Sequence, residues 1–115
     1  MKKLKLVINN DFNKIEKEQF FIKKELQCIL NLYAKMVSNG SWRDYSFSSG
    51  AREVSFDVYL RASEKPVLRI LKNFRPNYFN EKYLIKDKNG NILKKSESLN
   101  SLINKTSWNK LRMIK

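Results

Sequence analysis

Val54-Ser55-Phe56-Asp57-Val58-Tyr59-Leu60-Arg61 sets Val, Phe, Val and Leu in alternation with Ser, Asp, Tyr and Arg. Successive side chains of a strand point to opposite faces, so this is the pattern of a strand with one buried face. Upstream, Tyr45 and Phe47 alternate with Ser46 and Ser48, and Ser49-Gly50 marks a turn between two strands. Downstream, Ala62-Ser63-Glu64-Lys65-Pro66 reads as a turn or short loop. Leu68 and Ile70 continue a third strand, with Arg69 and Lys72 expected outward. Asn73 to Asn80 is a loop carrying Phe74, Arg75, Pro76, Tyr78 and Phe79. Tyr83 and Ile85 belong to a fourth strand. Lys88-Asn89-Gly90-Asn91 holds the Asn-Gly pair of a tight hairpin, and Ile92-Leu93-Lys94-Lys95 returns as a fifth.

One long helix precedes these strands. Over residues 20–37, Ile22, Leu26, Ile29, Leu30, Tyr33, Met36 and Val37 recur at spacings of three and four, the period of one helical face. Lys23, Lys24, Gln27, Asn31 and Lys35 fall largely on the other side. Ser38-Asn39-Gly40 supplies the stop, because Gly40 takes a left-handed conformation without a Cβ clash. After the strands, Ser96 or Ser98 caps a short helix with Leu99, Leu102 and Ile103, and Thr106-Ser107 caps another turn bearing Trp108, Leu111 and Ile114. An amphipathic helix needs an apolar sheet face to cover it. The expected class is therefore α+β: one long amphipathic helix packed on an antiparallel meander of four to five strands, with short C-terminal helices. The domain spans 20–104, residues 1–19 form a strand or flexible arm, and 105–115 form a basic C-terminal extension.

Composition narrows the function. The chain has 115 residues, 42% hydrophobic and 12% aromatic, enough for one compact core. With no histidine and a single cysteine, a His-based triad, a His/Cys zinc site and an intramolecular disulfide are excluded. The three glycines stand apart at 40, 50 and 90, so no glycine-rich phosphate loop exists. No catalytic residue, metal or cofactor is expected. Cys28, beside the helix's apolar face, reads as a small core residue. The start, Met1-Lys2-Lys3-Leu4-Lys5-Leu6-Val7-Ile8, lacks the long apolar region of a signal peptide, and no run approaches the ~18 apolar residues of a spanning helix. A cytoplasmic protein without membrane insertion follows as the expectation.

Twenty-four Lys and Arg stand against eleven Asp and Glu, a net charge of +13. A basic domain of this kind meets something acidic. Lys, Asn and Ile number 18, 13 and 9, against three each of Ala and Gly, which is also the mark of an AT-rich genome; the six arginines weigh more as signal.

Gln27-Cys28-Ile29-Leu30-Asn31-Leu32-Tyr33-Ala34-Lys35-Met36-Val37, then Gly40-Ser41-Trp42-Arg43-Asp44-Tyr45, resembles an alphaproteobacterial family, domain-of-unknown-function family 2794. That family shows an IL-x-LYGRMV helix followed by G-x-WRDY. Its F-x-V-[FY]-x-R-x-SE-x-P-x-x-RI-x-K stretch is matched by Phe56 to Lys72, and its G-x-ILK by Gly90 to Lys94. The similarity covers about residues 22–104, with a basic loop at Asn73 to Glu81 that is longer than the family's. The resemblance implies an alphaproteobacterial source and brings no function with it.

Two sets of residues stand out as binding candidates. Residues 66–80 carry three bases and no acid, and 98–115 four bases and no acid. Arg61, Arg69, Lys72 and Arg75, beside a loop with Phe74, Tyr78 and Phe79, match the way single-stranded nucleic acid is held, by cations along the backbone and aromatic rings under the bases. Lys94 and Lys95, before a short helix, join this set as phosphate contacts. RNA is the expected ligand. The bland alternative is a solvated strand face with loop aromatics capping the core. Trp42, Arg43 and Tyr45 form the second set, a surface for a protein partner or for a homodimer, which an exposed sheet edge could equally form, against a core role for Trp42.

Overall fold

The structure is a computed structural model that describes residues 20–60, 65–106 and Trp108. The readings made for 1–19, 107 and 109–115, and for Arg61, lie outside the described residues. Helix α1 (Lys23–Ser38) leads into β1 (Asp44–Ser49), β2 (Glu53–Tyr59) and β3 (Leu68–Asn73). A single 3-10 turn (Phe79–Glu81) precedes β4 (Tyr83–Asp87) and β5 (Ile92–Ser96), and a short helix α2 (Leu99–Asn104) follows. The strands lie in chain order, β1-β2-β3-β4-β5, each antiparallel to the next. This is the expected α+β meander, with five strands.

Pleat parity assigns the two faces. Phe56 lies opposite Ile70, which lies opposite Ile85; Val54 and Val58 flank Phe56. All are fully buried, under Ile29, Leu32 and Met36 of α1 and Leu99 and Leu102 of α2. Each such side chain contributes about 1.5–3 kcal/mol over an exposed one. Lys72 shares the parity of Leu68 and Ile70, so it too points under the helix rather than outward. That corrects the sequence expectation for Lys72.

Helix α1 stops where expected. Gly40 has φ 82°, and the amides of Ser41 and Trp42 turn back to the Met36 carbonyl at 2.8 and 3.2 Å. The face it buries is rotated from the one the periodicity suggests. Glu25, Ile29, Leu32 and Met36 are buried, whereas Ile22, Leu30 and Val37 are about two-fifths exposed. Ser98 caps α2 by accepting from the Ser101 amide at 3.2 Å. In the β4–β5 hairpin, Gly90 takes φ 87°. The Asn91 amide, with that of Asn89, holds the Asp87 carboxyl below its ordinary range.

Candidate nucleic-acid interface

The nine candidate positions that the structure describes are dispersed rather than gathered on one strand face. Arg61 is outside the described residues. Arg69 does face away from the helices, but its guanidinium is committed. Its Nε donates to Asp57 Oδ1 and its Nη2 to Ser55 Oγ, each at 3.0 Å. Asp57 is buried on the same face and also accepts from Ser48 and Ser55 at 2.6 and 2.7 Å. Four such contacts, three of them to the Asp57 carboxylate, knit three strands together. The sequence marks Asp57 only as a polar position of an alternating strand. Its signal was parity: Ser55 and Asp57 share a face, and Arg69 is the register partner of Asp57.

Lys72 is withdrawn from solvent altogether. Its Nζ donates to Glu25 Oε1 at 2.9 Å and to the Phe20 carbonyl at 3.0 Å. Glu25 also accepts from the Ile22 amide at 2.8 Å and from the Tyr83 hydroxyl. Burial, followed by the hydrogen bond and charge of Glu25, pushes the Tyr83 phenol well above its ordinary pKa. A buried cation left unpaired is costly, so the pair explains why a lysine is tolerated under the helix. A cleft of about 260 Å³ between α1 and α2 reaches Glu25 and Tyr83. The carboxylate there already accepts three hydrogen bonds from the protein itself, which leaves it little to offer a substrate.

Trp42 is also buried. It packs edge-to-face on Trp108 at 5.7 Å and near Tyr33 at 6.3 Å, so it closes the core and does not belong to the exposed surface proposed for it. Arg43 is exposed, and its carbonyl accepts the Tyr33 hydroxyl at 3.1 Å. Partial burial, helped by Asp44 and Tyr45, raises the Tyr33 phenol pKa. Tyr45 stays 39% exposed while its ring lies 5.2 Å from that of Phe56.

Arg75 and Tyr78 are accessible at the end of the sheet away from Arg43. The Phe74 amide donates to the Arg52 carbonyl at 2.9 Å, which ties the β3–β4 loop to the β1–β2 turn. Asn73 donates from its backbone to Lys82 at 2.7 Å and from its side chain to Glu81 at 2.8 Å, which fixes the base of the loop. In this loop Tyr78 and Phe79 are 68% and 78% exposed, and Arg75 of the same loop and Arg52 of the tethered turn are exposed as well. Burial of one large aromatic is worth kilocalories, so two adjacent exposed rings at a fixed loop tip are informative. Lys95, exposed on β5, reaches Glu81 of the same loop at 3.5 Å. Lys94 is exposed on the opposite face of β5, across from Ile85. Phe79 reads in the sequence as one of the loop aromatics; Arg52 is not singled out there, and nothing local marks it. Among the described residues, no three His, Cys, Asp or Glu side chains converge as metal ligands. No described helix is long and apolar enough to cross a membrane.

The fold and this loop define a small α+β domain: a helix-covered five-stranded meander with a basic, aromatic tip. The chain belongs to the family described as Protein of unknown function (DUF2794), whose model matches residues 19–103. No curated protein and no solved structure matches it.

Proposed function

We propose that this protein binds nucleic acid without catalysis, single-stranded RNA above all, in the cytoplasm, through the end of the sheet built by Arg52, Arg75, Tyr78 and Phe79. Support comes from the two adjacent rings of Tyr78 and Phe79, held exposed on a hydrogen-bonded loop between arginines. Ring-on-base stacking is worth about 1–3 kcal/mol per base, and the arginines supply the salt-dependent part. Lys95 lies alongside as a phosphate contact weakened by Glu81. Arg69 and Lys72 drop out of the binding set, because their charges are spent on Asp57 and Glu25.

The test is fluorescence anisotropy with short labelled single- and double-stranded RNA and DNA at low and physiological salt. The expected result is binding that persists at physiological salt and favours single strands. A Tyr78→Ala/Phe79→Ala double variant loses tenfold or more, and Arg75→Ala lowers the salt slope by about 0.7. Equal binding to all four ligands, seen only at low salt and indifferent to these substitutions, sinks the reading.

A further inference from the structure

The two edges of the sheet are built differently. β5 carries Lys94 and Lys95 and breaks register at Ile85/Lys86, both of which discourage pairing with another strand. β1 is paired with β2 in unbroken register over its whole length and contains no lysine, proline or bulge. Gly50 donates to Glu53 at 2.9 Å across the hairpin, and hydrogen-bonded pairs alternate from there. The backbone groups of Tyr45, Phe47 and Ser49 therefore point away from β2. Among the described residues no strand meets them; the Tyr45 amide is held only by its neighbour Asp44, at 2.8 Å.

The flank of α1 above this edge is apolar and open. Cys28, Asn31, Leu32 and Lys35 face the cleft shared with α2, which packs toward β4 and β5. The opposite flank bears Leu26, Leu30, Tyr33 and Val37, at helical spacings of four, three and four. Tyr33 packs on Tyr45 of β1 at 4.8 Å, which places this stripe over the β1 edge. Leu30, Val37 and Tyr45 are 41%, 40% and 39% exposed. The stripe carries no charge, and Asp44 is the only charged residue of β1.

We infer that β1 and this stripe of α1 form the contact between two copies of the chain, related by a two-fold axis normal to the sheet. A chain of charge +13 repels its own copy, and it does so least along a strip that contributes no lysine or arginine of its own. Parity permits only registers that keep both helices on one face. Centring on Ser46 sets Tyr45 against Phe47 of the other copy, twice, and leaves no like charges opposite. The product is a continuous ten-stranded sheet with the two α1 helices side by side. This inference does not rest on nucleic-acid binding, whose proposed tip joins the β3–β4 loop to Arg52 in the β1–β2 turn and uses no side chain of β1 or of this stripe.

Sedimentation equilibrium on nuclease-treated full-length protein at physiological salt tests it. Mass is expected to double with rising concentration. Leu30→Asp/Val37→Asp should stay monomeric while melting near the parent, since both positions are exposed. In a Cys28→Ser background, Ser46→Cys should form a disulfide-linked dimer on oxidation, because it meets itself across the axis, and Asn91→Cys on the far hairpin should not. A monomer at all concentrations, a dimer that survives the double substitution, or equal crosslinking through Asn91→Cys overturns the assignment.

Discussion

Two buried carboxylates sit on opposite sides of the same sheet and do different work. Asp57 lies in the middle of β2 and gathers Ser48, Ser55 and Arg69, all from its own or adjoining strands. Glu25 stands on α1 and gathers Lys72 of β3 and Tyr83 of β4, 47 and 58 residues away along the chain. The first locks the register of a meander that its hairpins already define. The second decides how a helix sits on that meander. Local pairing is over-determined here, whereas the helix–sheet docking passes through one polar knot within an apolar layer.

The largest effect should come from breaking that knot on one side. Glu25→Leu leaves the Lys72 cation buried beside only the Phe20 carbonyl, and unfolding free energy should fall by about 3–5 kcal/mol in a urea titration. Adding Lys72→Met removes the orphan as well and should restore most of the loss. A double variant no better than the single would show that Glu25 acts through something other than Lys72.

Asp57→Asn should cost less, about 1–3 kcal/mol, because the amide still accepts from Ser48 or Ser55 while losing the charge that Arg69 meets. The midpoint of chemical denaturation reads this directly. A loss equal to that of Glu25→Leu would erase the distinction between the two carboxylates.

The smallest effect is confined to alkaline pH. The folded-state pKa of Tyr83 lies above the ordinary 10.0, so the folded state holds this proton more tightly than the unfolded chain. Its contribution is complete below pH 10 and is lost as pH climbs toward the folded value. Thermal melts should therefore show stability declining above pH 10, less steeply in Tyr83→Phe, which at neutral pH should cost about 1 kcal/mol. Identical alkaline profiles would detach Tyr83 from the knot.

The meander was legible in the sequence because hairpin turns and period-two alternation are local properties. Val54, Phe56 and Val58 announced their face, and Gly40 and Gly90 their turns. The polar knot was not legible. Lys72 was read as outward by residue type although its parity with Leu68 and Ile70 pointed inward, since a lysine's partner lies on another element. The same blindness rotated the helix: Ile22, Leu30 and Val37 were counted into the core, and Glu25, which takes the inward position, was not considered. The pairing of Arg69 with Asp57 and of Lys72 with Glu25 was hidden for a related reason. Charge counted along the chain carries no record of which charges a fold neutralises, and the tip formed by Arg52 with Tyr78 and Phe79 exists only once two hairpins lie side by side.

The nearest-neighbour strand order also sets a timetable for synthesis. Each of β2 to β5 finds a partner in the strand made just before it, so β1 to β3 can zip together while the chain is still emerging from the ribosome. Of the described elements helix α1 is made first, yet Glu25 has no cation until β3 arrives and no phenol until β4 does. The seating of that helix on the sheet therefore waits on segments made well after it.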